Sequence, residues 1–355
     1  MEDYTVASEV MATNEIMEDN ADTWKKARVH FSQLGWSFLI GSVLINAMEY
    51  LVSFLVGMWK PEWLADTNVN LILSTSTMYL LAMPIMILLI KRVPAVALSK
   101  KPMKVSHFLL ALLMCYPIMY CSNLFGVILT TIIGALKGSP VNNRIMDVVS
   151  DANIWVILLY MVILAPVIEE FIFRKLIVDR TVRYGQGVAV VVSGVMFGLF
   201  HGNLNQFIYA TTLGMFLAFL YVKTGNIKVT IGVHMVINFM GGLVSTLLLK
   251  AIHYEELAEL VYGGGTQEQL LEFYITYLLT YLPGWIIYML YAMFILTVVI
   301  AGIVLLIVFR KRFVLDGGEV VLPKGTRFKT VFVNWGMLLF SLFWIGMIIA
   351  QLFFG

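Results

Sequence analysis

Pro166-Val167-Ile168-Glu169-Glu170-Phe171-Ile172-Phe173-Arg174 sits inside an apolar run that otherwise reads as a membrane-spanning helix. A carboxylate near the bilayer centre costs about 2.5–3.5 kcal/mol on insertion scales, so two adjacent acids need compensation or a task. Glu170 and Arg174 are four residues apart, share a helix face and can pair. Glu169 is rotated by about 100° from its neighbour, which leaves one acid neutralised and the other free for chemistry. Pro166 has no N–H to donate and predicts a bent or loosened helix one turn ahead of the acids.

The rest of the chain has the composition of a membrane protein. Of 355 residues, 60% are hydrophobic and only 13% charged, against about 25% charged in soluble domains; mean hydropathy is +0.87. A net charge of +2, with no basic block interleaved with aromatics, excludes a nucleic-acid partner. Cys115 and Cys121 fall in one apolar span, which argues against a disulfide framework. The first 30 residues are acid-rich and lack the apolar core of a removable signal peptide, so a flexible polar tail is expected there. The final Leu352-Phe353-Phe354-Gly355 carries no lipidation signature.

Apolar runs long enough to cross about 30 Å of hydrocarbon predict spans near 36–58, 69–90, 107–133, 153–177, 187–203, 205–222, 229–249, 285–309 and 331–354. The expected fold is therefore all-α: a polytopic bundle of eight or nine transmembrane helices around an intramembrane polar cavity. The fifth and sixth spans are short and joined only by Gly202-Asn203-Leu204, which predicts a tight hairpin or a re-entrant pair. Of the 24 Lys and Arg, only Lys60, Lys137, Arg144 and Lys250 fall in one set of alternate connections; the other 20 fall in the opposite set. Positive charge is retained inside, so the N-terminus is expected in the cytoplasm and, with nine spans, the C-terminus outside. The chain divides into a tail (1–30), N-terminal membrane helices (31–150), a polar core (151–249), an outer loop or interfacial segment (250–283) and C-terminal membrane helices (284–355). The loop carries Glu255, Glu256, Glu259, Glu268, Glu272 and the run Gly263-Gly264-Gly265, and its flanks look amphipathic. There is no internal repeat of the kind that marks an inverted-repeat transporter.

Two later segments supply partners for the acids at helical spacing: Phe197-xxx-His201 and His234-xxx-Asn238. Glu169 and His201 lie 16 residues to either side of Gly185, about 24 Å from the turn at 1.5 Å per residue, so an antiparallel hairpin brings them to one level. His234 and Asn238 reach that level if the hairpin projects roughly 10 Å into the cytoplasm, and all three helices then face one cavity open to that side. A carboxylate with a histidine can deprotonate water, and a histidine with an asparagine can hold an oxyanion, so the chemistry is hydrolysis. Glu169, His201 and His234 are equally a ligand set for a divalent metal such as zinc with an open fourth position. Sequence spacing does not separate these mechanisms.

Each residue also has a plainer reading. A lone intramembrane histidine usually serves helix packing, and His30, His107 and His253 near span ends are read that way. Glu49 is expected to pair with Asn46 one turn away. Phe197 reads as packing, and Phe31, Tyr79, Trp155, Trp285 and Trp335 as core or interfacial aromatics. The zincin pattern His-Glu-xx-His is absent, no aspartate falls within the expected spans, and Val191-Val192-Ser193-Gly194 lacks the Gly-x-Ser-Gly of rhomboid-type serine proteases. A proton-coupled transporter using Glu49 and Glu169 accounts for the acids but not for the aligned histidines and asparagine.

Glu169-Glu170-xxx-Arg174, Phe197-xxx-His201 and His234-xxx-Asn238, in that order on apolar helices, resemble the type II CAAX prenyl endopeptidase and bacteriocin-processing (CPBP, Abi) intramembrane protease family. The similarity extends over roughly 153–245, including Asn205-Gln206-Phe207, Gly214, Tyr221 and Thr224-Gly225-Asn226. It implies an integral protein of the cell membrane with a conical cavity open to the cytosol. Within that cavity Glu169 and His201 would activate water, His234 and Asn238 would bind the oxyanion, and Glu170 and Arg174 would orient and balance them. The implied partners are a peptide or lipidated peptide substrate and membrane lipid; in one branch of the family the last three residues after a prenylated cysteine are removed. Dependence on a metal is left open by the resemblance. Some of the family is associated with bacteriocin immunity, so a non-enzymatic immunity or peptide-binding protein is the alternative. Many bacterial members have Gly after the motif arginine; Lys175 departs from that and bears on packing at the cavity mouth.

Overall fold

Apolar runs with few internal breaks become helices because in hydrocarbon every backbone N–H and C=O must be satisfied within its own segment. The computed structural model describes residues 2–141, 152–254, 256–257, 267–323 and 325–354. Within these the chain forms α1 (Glu2–Trp59), α2 (Thr67–Lys91), α3 (Val105–Lys137), α4 (Ile154–Tyr184), α5 (Gln186–Phe200), α6 (Leu204–Thr224), α7 (Ile227–Ala251), α8 (Gln267–Thr280), α9 (Leu282–Arg312) and α10 (Trp335–Phe354), with no strand among the described residues. Eight of the helices are long and apolar enough to cross a membrane. The protein is a polytopic all-α membrane bundle.

α5, with 15 residues, is about 22 Å long and falls short of a full crossing. α1 and α10 run parallel: Arg28 donates to the Val333 carbonyl (2.8 Å), the Gly336 N–H to Ser32 Oγ (3.2 Å) and Trp344 Nε1 to Ser42 Oγ (3.0 Å). The Gly35 and Gly336 backbones meet so closely that a Cβ on either would overlap the other helix.

Residues 2–30, expected as a flexible tail, instead lie on α1. The cause lies in what that segment touches: Ala27 and His30 are buried, and His30 Nε2–H donates to the Arg180 carbonyl at 2.8 Å. The fourth span likewise runs beyond its expected end to Tyr184 and carries buried Asp179 and Arg180 with it. Arg180 stays there by donating to the Ile90 and Leu176 carbonyls (2.7 and 2.9 Å). Gly185, at φ +115°, makes the turn to α5. Arg144, Glu255, Glu259, Gly263-Gly264-Gly265 and Lys324 lie outside the described residues.

α5 and α6 form the tight hairpin that their short connection requires. Gly202 turns at φ +65°, and Asn203 caps α6 by accepting from the Gln206 N–H at 2.8 Å. Their contact uses small residues, the usual device where lipid gives helices no hydrophobic reason to associate. A Cβ at Gly198 would overlap Thr211 Oγ1 and come within 2.7 Å of the Phe207 carbonyl oxygen. Gly198→Ala is therefore expected to cost about 1–3 kcal/mol by overpacking, read as a lower unfolding midpoint in detergent.

The principal core joins α1, α4, α5 and α10 through a chain of rings, with Met83, Met86 and Ile90 of α2 packed into it. Phe38 contacts Phe173 and Phe340, Phe173 contacts Phe197 and Phe200, and Phe200 contacts Trp344, with centroids 5.1 to 5.8 Å apart. A second core of Cys115, Leu217, Val233 and Ile237 ties α3 and α6 to α7. The two cysteines are free.

Candidate polar site between three helices

α4 is not a uniform helix. It widens to a π-helix over Ile157–Leu164, returns to α over Ala165–Glu170, and widens again over Phe171–Val178. The first widening has an identifiable cause. Pro166 has no N–H, and its ring would clash with a carbonyl one α-turn earlier; the π pattern relieves this by spacing bonds five residues apart, as Ala165 N–H to Tyr160 O shows. In that pattern the Met161 carbonyl would be met by the N–H of residue 166, which is proline. Asn238 takes the vacant place: its Nδ2 donates to Met161 O at 2.9 Å. π segments often accompany functional sites, and here the two flank the acids directly.

Glu170 and Arg174 pair as their spacing requires, with Nε to Oε2 at 3.0 Å and both side chains fully buried. Arg174 Nη1 donates to Ser193 Oγ at 3.2 Å, and that hydroxyl donates to the Phe173 carbonyl at 2.7 Å. The guanidinium lies over the Phe197 ring, 4.6 Å from its centroid. Phe197 is packing, as its type suggests, but packing that spaces the site: its ring is 4.7 Å from that of His201 and 6.0 Å from that of His234.

Both histidines have one nitrogen assigned by its partner. His201 Nδ1 lies 2.8 Å from the Phe197 carbonyl, which only accepts, so Nδ1 carries the hydrogen and Nε2 keeps its lone pair. His234 Nδ1 lies 3.0 Å from Glu170 Oε1. Glu170 is held as a carboxylate by Arg174 and accepts, so this hydrogen is also on Nδ1. His234 Nε2 then faces Glu169 Oε2 at 3.7 Å, too long for a direct hydrogen bond and short enough for one water to touch both.

Burial separates the two acids. Glu170 is fully enclosed, whereas the Glu169 side chain keeps 22% of its surface. His201 and Asn238 are also half-buried. The exposed members are thus the groups a substrate and water can reach, and the enclosed pair lies behind them. Tyr209 OH accepts from Gln206 Nε2 at 3.0 Å and so has its own hydrogen free.

Sequence reasoning weighed Ser193 only against the rhomboid pattern and gave no role to Thr230. A signal existed for both, since each precedes a motif residue by four positions and shares its face: Ser193 before Phe197, Thr230 before His234. Thr230 is fully buried, and its hydroxyl donates to the Ile227 carbonyl at 3.1 Å. The expected Glu49–Asn46 pair is not made. Asn46 donates to the Ser42 carbonyl (2.9 Å), and Glu49 has no hydrogen-bond or ion-pair partner among the described residues. Lys175 reaches one turn along α4 to Asp179 (2.6 Å), whose other oxygen accepts from Tyr221 OH at 3.0 Å.

Among the described residues no group of three or more His, Cys, Asp or Glu side chains is placed to hold an ion. The hydrogen bonds of His201 and His234 use Nδ1, so their Nε2 atoms and the Glu169 carboxylate are the atoms that would hold a metal.

Residues 151–240 match the family model described as "Type II CAAX prenyl endopeptidase Rce1-like". The match covers 90 of the 355 residues. It contains every residue of the three motifs. The chain is 30% identical over 124 residues to the protein named "Putative membrane peptidase YdiL" of Bacillus subtilis (strain 168), covering 34% of this chain and 49% of that one. It is 26% identical over 120 residues to the "Membrane-embedded CAAX protease MroQ" of Staphylococcus aureus (strain USA300), covering 32% and 48%. The chain thus spans about half the length of the curated relatives it matches. No solved structure matches it.

Proposed function

We propose that this protein is an intramembrane endopeptidase that cleaves a membrane-associated peptide with a water activated between Glu169 and His201. The observation that carries the reading is the division of the polar cluster. Glu169 is partly exposed and free of a strong partner, while the adjacent Glu170 is enclosed and tied to both Arg174 and His234. The likeness to proteins named as membrane peptidases supports it.

In this reading a water lies between the Glu169 carboxylate and the Nε2 lone pair of His201. Glu169 takes one proton as the water oxygen attacks the scissile carbonyl carbon. The carbonyl oxygen becomes an oxyanion, and the second N–H of Asn238, whose first is spent on Met161 O, is free to donate to it. His234 assists there when its Nε2 is protonated, with Glu170 balancing the imidazolium. The tetrahedral carbon then expels the amine as the C–N bond breaks, and the proton held by Glu169 goes to the leaving nitrogen. The steps run through protein groups alone. The excess of Lys and Arg at one end of the bundle favours an arrangement with that end, and the N-terminus, in the cytoplasm.

For substrate, the likeness favours a lipidated CAAX-type peptide. The test is a farnesylated CAAX-type reporter and its unprenylated twin, each incubated with detergent-purified protein and followed by mass spectrometry. The expected result is release of the C-terminal tripeptide from the farnesylated reporter, and slower release from the twin. Equal rates would remove lipid from the recognition; intact reporters in both arms would overturn the endopeptidase reading for this substrate class and favour the peptide-binding alternative.

A further inference from the structure

At the end of the bundle where the basic residues gather, the segment between α9 and α10 folds back over the α4–α5 turn. The Val320 N–H donates to the Arg183 carbonyl (2.9 Å) and the Gln186 N–H to the Asp316 carbonyl (3.1 Å). Between this strap, the start of α5 and the short helix Arg327–Val331 lies a groove of about 600 Å³, with Val188, Val191, Leu315, Phe328 and Phe332 on its walls and Arg327 at its edge. That volume falls within the range of about 300–1,000 Å³ typical of small-ligand sites.

The charges of the lining are unequal in an informative way. Asp316, its one acid, is already spent: its carboxylate accepts from Gln186 Nε2 (2.8 Å) and pairs with Lys223 (3.2 Å). Arg327 is exposed and has no hydrogen-bond or ion-pair partner among the described residues. The apolar walls are also uncovered. Phe328 is 68% exposed and Val191 39%, and Trp335, at the start of α10, is 73% exposed. An exposed tryptophan at the start of a membrane helix marks the polar boundary of a bilayer, so the groove opens where acyl chains meet headgroups.

We propose that this groove is a site for an anionic phospholipid, with one acyl chain along Val188, Val191, Phe328 and Phe332 and the phosphate on Arg327. Bound there, the lipid bridges the strap to α5, the helix that ends at His201.

The test measures lipid binding to the delipidated, detergent-solubilised full chain by native mass spectrometry, with phosphatidylglycerol and phosphatidylcholine in competition. Wild type should favour phosphatidylglycerol roughly fivefold, the equivalent of about 1 kcal/mol for one basic group at an anionic headgroup. Arg327→Gln, at an exposed position, should bring the ratio to about one while binding of the neutral lipid persists. Val188→Trp should fill the groove and reduce binding of both lipids. Lys311→Gln, on the exposed end of α9 outside the groove, should leave the ratio unchanged. An unaltered ratio in Arg327→Gln, or an equal loss in Lys311→Gln, would overturn the site in favour of a diffuse basic belt. Full displacement of the lipid by glycerol phosphate would assign the site to a free phosphate instead. None of these readouts depends on peptide cleavage.

Discussion

Glu169→Gln should lower peptide hydrolysis by about 10²–10⁴-fold, the usual contribution of a positioned general base, while leaving the unfolding midpoint where it is. The two halves of this expectation rest on different observations. Glutamine matches glutamate in size but cannot take a proton from water, so turnover falls. Stability holds because Glu169 makes no close ion pair: His234 Nε2 lies 3.7 Å away, and 22% of the side chain stays exposed. Glu170→Gln is the control that separates a chemical role from a structural one. It removes the charge that faces Arg174 and His234 and turns one of the two acceptor oxygens into a donor, so it should lower the melting midpoint as well as the rate. Steady-state cleavage and thermal unfolding on the same detergent preparations read both quantities. If Glu169→Gln retained activity, Glu169 would lose the role of base, and the Nε2 of His201 would be the next group to test.

Much of this site could be read from one line of residues, because helical spacing is a strong constraint. The four-residue separation of Glu170 and Arg174 requires a shared face, and the pair forms. The equal distances of Glu169 and His201 from Gly185 predict a common level; Glu169 lies 3.7 Å from His234 Nε2, and the Phe197 ring neighbours both His234 and His201. What could not be read depended on departures from ideal geometry or on long-range packing. The bond from Asn238 to Met161 exists because Pro166 removes a donor from a π turn; sequence announces the proline, but not which carbonyl is left over. The union of α1 with α10 rests on Gly35 and Gly336, 301 positions apart, and two isolated glycines in apolar helices give no pairing signal. Residues 21–30 looked like part of a solvated tail because their composition is polar. They are helical and partly buried because Arg180 and Val333 offer carbonyls to His30 and Arg28, partners that become visible only when the bundle is assembled. Glu49 shows the converse: a neighbour at good spacing, Asn46, that prefers its own backbone.

Arg174→Met should cost about 3–5 kcal/mol of stability, the range for removing one partner of a buried ion pair. The loss comes from what remains, more than from the contact removed. Glu170 has no exposed surface, and without the guanidinium its charge would be left in the low-dielectric interior facing His234. Methionine is about the right length to fill the space against Phe197, so a cavity is not the main effect. Arg174→Lys should recover only part of the loss. An ammonium carries the charge but cannot both pair with Glu170 and donate in-plane to Ser193 Oγ, as the guanidinium does at 3.2 Å. The decisive variant is the double one. Glu170→Gln with Arg174→Met removes both charges, and replacing a buried pair by neutral groups of similar volume is often close to neutral, so stability should return towards wild type. Activity should not return with it, because His234 Nδ1 would then donate to a neutral amide instead of a carboxylate. A double variant that is stable and inactive would identify the pair as the support of His234. Recovery of both properties would reduce it to a structural pair within α4, and recovery of neither would show that the bundle needs the charges themselves to close.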